Sequence, residues 1–166
     1  MIYLLANPVR INLFEVQYQI AEAKAAGQLA EGNGGDLFTR MLALRGFENM
    51  MMDFATADPH LVMAFDMLVE HDLALVNKYL ALGADLIRFH NDLGWQEALA
   101  ISPAMFRRYL KPRFQKLMLP CRAAGAHVFL SSDGYMLDIV DDLIECGVSC
   151  HDPQVFANGL EGIICF

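Results

Sequence analysis

Two hydrophobic periods alternate along most of this chain. Long stretches repeat apolar residues three and four apart, and between them lie apolar runs too short for another helix. Leu61, Phe65, Leu68, Val69, Val76, Tyr79 and Leu80 predict one helix. Asp58 before Pro59 supplies its N-cap and first-turn proline, and Gly83 its C-terminal stop. Residues 86–89 are too short and too β-favourable to continue it, and predict a strand. Ser102 and Pro103 open the next helix, with Met105, Phe106, Tyr109 and Leu110 on its apolar face. Pro112 predicts a kink, because it removes a backbone donor and crowds the preceding turn. The helix resumes through Phe114, Leu117 and Met118, with a second bend at Pro120, and stops at Gly125. Residues 128–130 form the next strand. Met136, Leu137, Ile139, Val140, Leu143 and Ile144 define a further helix closed by Gly147, and residues 148–151 the last strand. The start of the chain is less regular. Residues 2–5 suit a buried strand, 13–30 a helix interrupted at Gly27, and 36–54 a helix weakened at Gly46. Gly32, Asn33, Gly34 and Gly35 read as a loop. Residues 160–166 form an apolar segment without a cap.

Three stretches share one order: a helix-ending glycine, a short apolar run, then acidic or polar residues. They are residues 83–92, 125–133 and 147–154. Strand–helix alternation with short linkers predicts right-handed crossovers and a parallel sheet. Its polar residues then fall at the C-terminal ends of the strands, where α/β folds keep their active sites. Three strands are clear and one is weaker. A closed (β/α)8 barrel needs about 250 residues, and this chain has 166. The expectation is therefore one domain over residues 1–166: a small open sheet or part of a barrel. Residues 1–57 are its less regular section, and residues 58–166 hold the βα units.

Composition sharpens this picture. The sequence is 55% hydrophobic and 19% charged, with a mean hydropathy of +0.31. No apolar run reaches the ~18–20 residues that span a bilayer. The first ten residues lack a basic start and a full apolar core, so no signal peptide is expected. Such a chain should bury apolar surface on both faces of a sheet or against another chain. A net charge of −8 argues against nonspecific nucleic-acid binding. Four cysteines, at 121, 146, 150 and 165, are too few for a disulfide framework, and a reducing cytoplasm is expected. Ten methionines suit irregular core filling.

The candidate chemistry sits at the strand ends. Asp92, Asp133 and Asp152 would project there, either lining a polar mouth that binds substrate and relays a proton or capping turns and helices. His90 and His151 lie beside them, able to take a proton or to serve as hydrogen-bonded structure. Gln96 can reach the mouth, while Ser102 reads as an N-cap only. Ser131 and Ser132 are mouth residues; neither lies in a G-x-S-x-G elbow, so a nucleophilic serine is not expected. Cys146, Cys150 and His151 fit no standard zinc spacing, and the two cysteines read as buried free thiols. Gly32 to Gly35 lacks the Lys and Ser/Thr of a P-loop. Six basic residues between Arg107 and Arg122 form a solvated helix face or a dock for an acidic partner.

An ordered set of short motifs carries a family likeness. Phe38 to Glu48 leads into the Asp58, Pro59 helix; then come Gly83 to Ile87, Asn91 to Gln96, Ile101 to Pro103, Leu110 to Arg113, Ser132 to Gly134 and Gly147 with Asp152 to Gln154. Together, over residues 38–156, they resemble the uroporphyrinogen decarboxylase superfamily, and within it the corrinoid-dependent methyltransferase branch. The resemblance implies a partial TIM barrel of about four βα units. It implies methyl transfer from a methyl-corrinoid, carried on a partner corrinoid protein, to a small-molecule acceptor. Asp92, Asp133 and His151 would be catalytic. His90, Gln96, Ser131, Ser132, Asp152 and Gln154 would bind substrate. Zinc-dependent members hold the metal through a His-x-Cys after the strand matching residues 128–130. Here Ser131 and Asp133 stand at those positions, so zinc activation of a thiol is not expected and a non-thiol acceptor such as a pterin is. A tetrapyrrole decarboxylase is the second enzyme reading, and an inactive interaction subunit the non-enzymatic one. A partial barrel should pair with itself or with a complementing chain.

Overall fold

The computed structural model describes residues 12–164. The expected strand at residues 2–5, and Cys165, lie outside them. In chain order the elements begin with α1 (Leu13–Ala25), β1 (Glu31–Gly35), α2 (Leu37–Arg45), α3 (Phe47–Thr56), α4 (Pro59–Ala81) and β2 (Leu86–His90). There follow α5 (Pro103–Met105), a π turn (Phe106–Leu110), α6 (Lys111–Ala123), β3 (His127–Ser131), a 3-10 turn (Leu137–Ile139), α7 (Val140–Cys146), β4 (Cys150–His151) and α8 (Val155–Ile164).

The helix signals act as their chemistry requires. Asp58 accepts the His60 backbone N–H at 2.8 Å, and Ser102 accepts that of Met105 at 3.2 Å. Gly147 ends α7 at φ +102°, a left-handed position that a side chain would strain. Gly46, at φ +79°, divides the single helix expected over residues 36–54 into α2 and α3. The kink expected at Pro112 takes another form. The helix runs on from Pro103 to Ala123, and the disturbance takes the form of the π turn in the residues just before Pro112, whose ring removes a backbone donor.

The loop expected at Gly32 to Gly35 is instead strand β1. Its glycines mark close approach rather than a turn. A Cβ on Gly32 would lie 2.6 Å from the Tyr79 ring, and one on Gly34 2.4 Å from the Phe89 ring.

The four strands form one parallel sheet in the order β1-β2-β3-β4. Right-handed crossovers in an unreversed order place α4, α6 and α7 on the same face. Ile87, Phe89, Val128 and Leu130 point to that face and are buried. They meet Phe65, Leu68, Phe114, Leu117, Met118 and Leu143 in the core. Full burial of each large side chain contributes roughly 1.5–3 kcal/mol. The other face carries Glu31, Asn33, Arg88, Phe129 and Cys150. There Arg88 forks onto Glu31 at 2.7 and 2.9 Å and lies 3.9 Å above the Phe129 ring.

The basic residues of 107–122 mostly tie helices together. Arg113 bonds Asp66 at 2.7 Å and Lys116 pairs with Glu70, joining α6 to α4. Arg107 and Lys111 bond Asp142 of α7 at 2.9 and 2.7 Å. Burial opposes ionisation of Asp142, but the two cations outweigh it and hold its carboxyl below the usual range. The hydrogen bonds that Lys111 donates to Asp142, then to Glu145, push it up to about 12. Cys121 and Cys146 are buried free thiols; burial pushes Cys121 up to about 11 and Cys146 up to about 12.

Asp142 is lowered on folding, so its contribution is present above its ordinary value of 3.8 and lost as pH falls below it. Lys111 is raised, so its contribution is present below 10.5 and lost as pH rises toward about 12. Asp142→Asn should therefore lower the melting temperature at pH 7 and flatten its fall between about pH 5 and pH 3. Thermal melts by circular dichroism across that range check both.

Candidate active site

Because the strands are parallel and adjacent, the residues following β2, β3 and β4 gather at one rim. The side-chain period of two decides which of them face outward. His90 lies opposite Ser131 in the register. Asn91 and Ser132, one step on, turn inward and are 1% and 2% exposed. Asp92 and Asp133, a further step on, turn outward again and are exposed.

Two cross-strand pairs organise the rim. Ser131 Oγ donates to Asp152 Oδ2 at 3.0 Å. Gln154 Nε2 donates to Asp133 Oδ1 at 2.7 Å, while its Oε1 accepts the Gly134 N–H at 3.0 Å. Asp92 is tied through its backbone, its N–H reaching Thr39 Oγ1 at 3.1 Å. Gln96 is exposed in the loop after β2, next to Trp95. Trp95 packs edge-on against Phe47, with ring centroids 5.8 Å apart.

Two expected mouth residues are turned away from it. Ser132 spends its hydroxyl internally, accepting the Leu93 N–H at 3.1 Å and lying 3.2 Å from the Asp133 carbonyl. The His151 side chain is 4% exposed. It shares the register position of Leu130, whose helix-side face is buried. Its Nδ1 lies 2.7 Å from the Leu130 carbonyl, which can only accept, so this nitrogen carries the proton. Both residues brace the strand ends.

Beneath the rim lies a polar scaffold that the sequence did not single out. Asn91 Oδ1 accepts the Phe38 N–H at 2.7 Å and fixes the start of α2. Asn158 Oδ1 accepts the Met136 N–H at 2.8 Å, and its Nδ2 donates to the carbonyls of Gly134 at 3.0 Å and Gln154 at 2.9 Å. Gly94 and Gly134 bring the loops after β2 and β3 together backbone to backbone. A Cβ on Gly134 would lie 2.3 Å from the Gly94 carbonyl carbon. The one available signal for Asn91 and Ser132 was strand alternation carried two residues past the strand end.

The donor set does not suit zinc. Ser131 offers a hydroxyl and Asp133 a carboxylate, where zinc favours imidazole and thiolate. Among the described residues no three His, Cys, Asp or Glu gather as a metal site.

Fold and rim together define an α/β protein with a parallel sheet and a polar rim of hydrogen-bonded carboxylates. No family model matches the chain, and no curated protein matches it. Among solved structures it is similar to a methyltransferase from Methanosarcina mazei, with a TM-score of 0.65 and 23% identity. The likeness covers 82% of this chain and 39% of that one. It is a likeness of fold, and the chain spans well under half the length of the methyltransferase.

Gly134 and Gly125 both hold positive φ, at +81° and +84°, but a Cβ on Gly125 meets nothing within 4 Å. Gly134→Ala should therefore lower the melting temperature by at least ~2–4 °C more than Gly125→Ala. The difference between the two melts isolates the loop–loop contact from the backbone strain.

Proposed function

We propose that this chain forms four consecutive βα units of a (β/α)8 barrel of the uroporphyrinogen decarboxylase superfamily, in its corrinoid-dependent methyltransferase branch. The observation that carries the reading is the row of paired carboxylates, Asp133 with Gln154 and Asp152 with Ser131, at the C-terminal rim of an unreversed parallel sheet. The likeness to a solved methyltransferase and the ordered motifs over residues 38–156 support it.

The substrate pair is a methyl-corrinoid, carried by a partner protein, and a small acceptor. In the transfer the carbon–cobalt bond breaks with its electron pair left on cobalt. The methyl carbon bonds to the acceptor's heteroatom, and the proton displaced from that atom needs a base. Asp133 and Asp92, both exposed at the rim, are the residues for that proton. Gln154 aligns Asp133 through its amide, and Ser131 aligns Asp152. His90 and Gln96 extend the polar surface that would hold the acceptor. The donors at 131 and 133 do not suit zinc, and an acceptor that needs no metal to ionise it, such as a pterin, fits them. No described helix is long and apolar enough to cross a membrane.

The test is a spectral titration of the purified chain with methylcobalamin, alongside a porphyrinogen analogue. A saturable change with methylcobalamin that weakens at least tenfold in Asp133→Ala is the expected result. A change with the porphyrinogen alone points to decarboxylase chemistry, and silence with both to an inactive subunit; either outcome removes the methyltransferase reading.

A further inference from the structure

The loop after β2 carries the only tryptophan of the sequence and turns it outward. Trp95 is 56% exposed, and Phe47, which meets it edge-on, is 44% exposed. Neither ring stands at an edge of the sheet. Strand β2 lies between β1 and β3, and the units on both sides touch its loop. Phe47 opens α3 on one side, and Gly134 and Tyr135 follow β3 on the other.

Backbone bonds hold the indole in this exposed place. The Trp95 N–H donates to the Ala98 carbonyl at 2.7 Å, and the Trp95 carbonyl accepts the Tyr135 N–H at 2.8 Å. The Ala100 N–H closes on the Leu93 carbonyl at 2.7 Å, and Leu93 itself is buried. On the β3 side a Cβ on Gly94 would lie 2.5 Å from the Tyr135 carbonyl oxygen. In a T-shaped pair at most one indole face meets Phe47, and the other is left for a ligand. A large ring fixed on a pinned backbone is a preorganised stacking surface.

Asp92 offers the second contact. Its N–H reaches Thr39 of α2, and Trp95 meets Phe47 just beyond α2, so both residues border the same part of the mouth. Asp133 and Asp152 each accept a side-chain hydrogen bond. The exposed Asp92 carboxylate accepts none among the described residues.

We propose that Trp95 and Asp92 form the acceptor subsite, and that the acceptor is a flat fused heterocycle with two adjacent N–H donors, as on the 2-amino-4-oxo edge of a pterin. Its face stacks on the indole, and its two donors fork onto the Asp92 carboxylate, which can accept both at once. This deepens the function proposed above and rests on it: Asp92 holds the acceptor, and Asp133 is left for the displaced proton. Aromatic rings beside acids can also cage an organic cation. That use needs space between the rings, and here their centroids are 5.8 Å apart, in contact.

A single tryptophan makes the test direct. Titrating the full chain with 6-methylpterin should quench Trp95 emission saturably, after correction against free N-acetyltryptophanamide. Calorimetry then follows the variants. Trp95→Ala should weaken pterin binding at least about tenfold and Trp95→Phe no more than about threefold, with the circular dichroism spectrum unchanged. Asp92→Asn should weaken it at least about tenfold. Lumazine, which has a carbonyl in place of the 2-amino group, should bind the parent chain at least about tenfold more weakly and be indifferent to Asp92→Asn; this comparison needs no variant to fold. Absence of quenching overturns the inference, as does pterin affinity unchanged in Trp95→Ala, or equal affinity for pterin and lumazine. So does quenching by tetramethylammonium in place of the pterin, or a blue shift on raising the protein concentration alone, which would mean that another copy covers the ring. None of these readouts involves methylcobalamin, so the subsite and the methyltransferase reading can each fail alone.

Discussion

Everything in this fold follows from one repeated handedness. A right-twisted strand followed by a helix returns to a parallel neighbour by a right-handed crossover, and here it does so three times without reversing. An order that reversed would split the helices between both faces and open a crevice at the switch point. The unreversed order gathers α4, α6 and α7 on one sheet face. The common direction of the strands, whatever their order, sends every strand-to-helix connection to a single rim. Three carboxylates distant in sequence, Asp92, Asp133 and Asp152, share a rim for that reason and no other.

The rim is held from below by bonds that cross long stretches of chain. Asn91 reaches residue 38, Asn158 reaches residues 134 and 136, and Ser132 reaches residue 93. Each satisfies a backbone group in a loop that folds back over the core, where an unmet donor or acceptor costs ~1–3 kcal/mol. The Gly94–Gly134 contact brings the two loops close enough for these bonds to form. The exposed acids are thus presented by a braced platform, a condition for precise positioning of a substrate.

Local signals were legible and distant ones were not. The caps at Asp58 and Ser102 and the stops at Gly83, Gly125 and Gly147 are written within four residues of where they act, and the structure follows them. Strand β1 was hidden because its glycines look like a turn; only the Tyr79 and Phe89 rings, 47 and 55 residues further on, explain them. Ser132 and His151 adjoin rim residues in the sequence. The strand period places both in the interior, a signal already present in the sequence. Asn158 had no local signal, since its partners meet it only after β3 and β4 have paired.

The other face of the sheet carries one more physical clue. Arg88 sits at its centre, forked onto Glu31 and stacked on Phe129. In open water such a pair contributes ~0–1 kcal/mol, little return for ordering two long side chains. Under cover the balance changes. An unpaired guanidinium would resist enclosure, because desolvating a lone ion costs several kcal/mol, whereas one already paired, forked and stacked loses far less. Leu86, on the same face, is buried, and Phe129 offers an apolar ring beside it. Glu31 and the Phe129 ring thus satisfy the Arg88 guanidinium at the centre of this face, so covering it would leave no charge unmatched there.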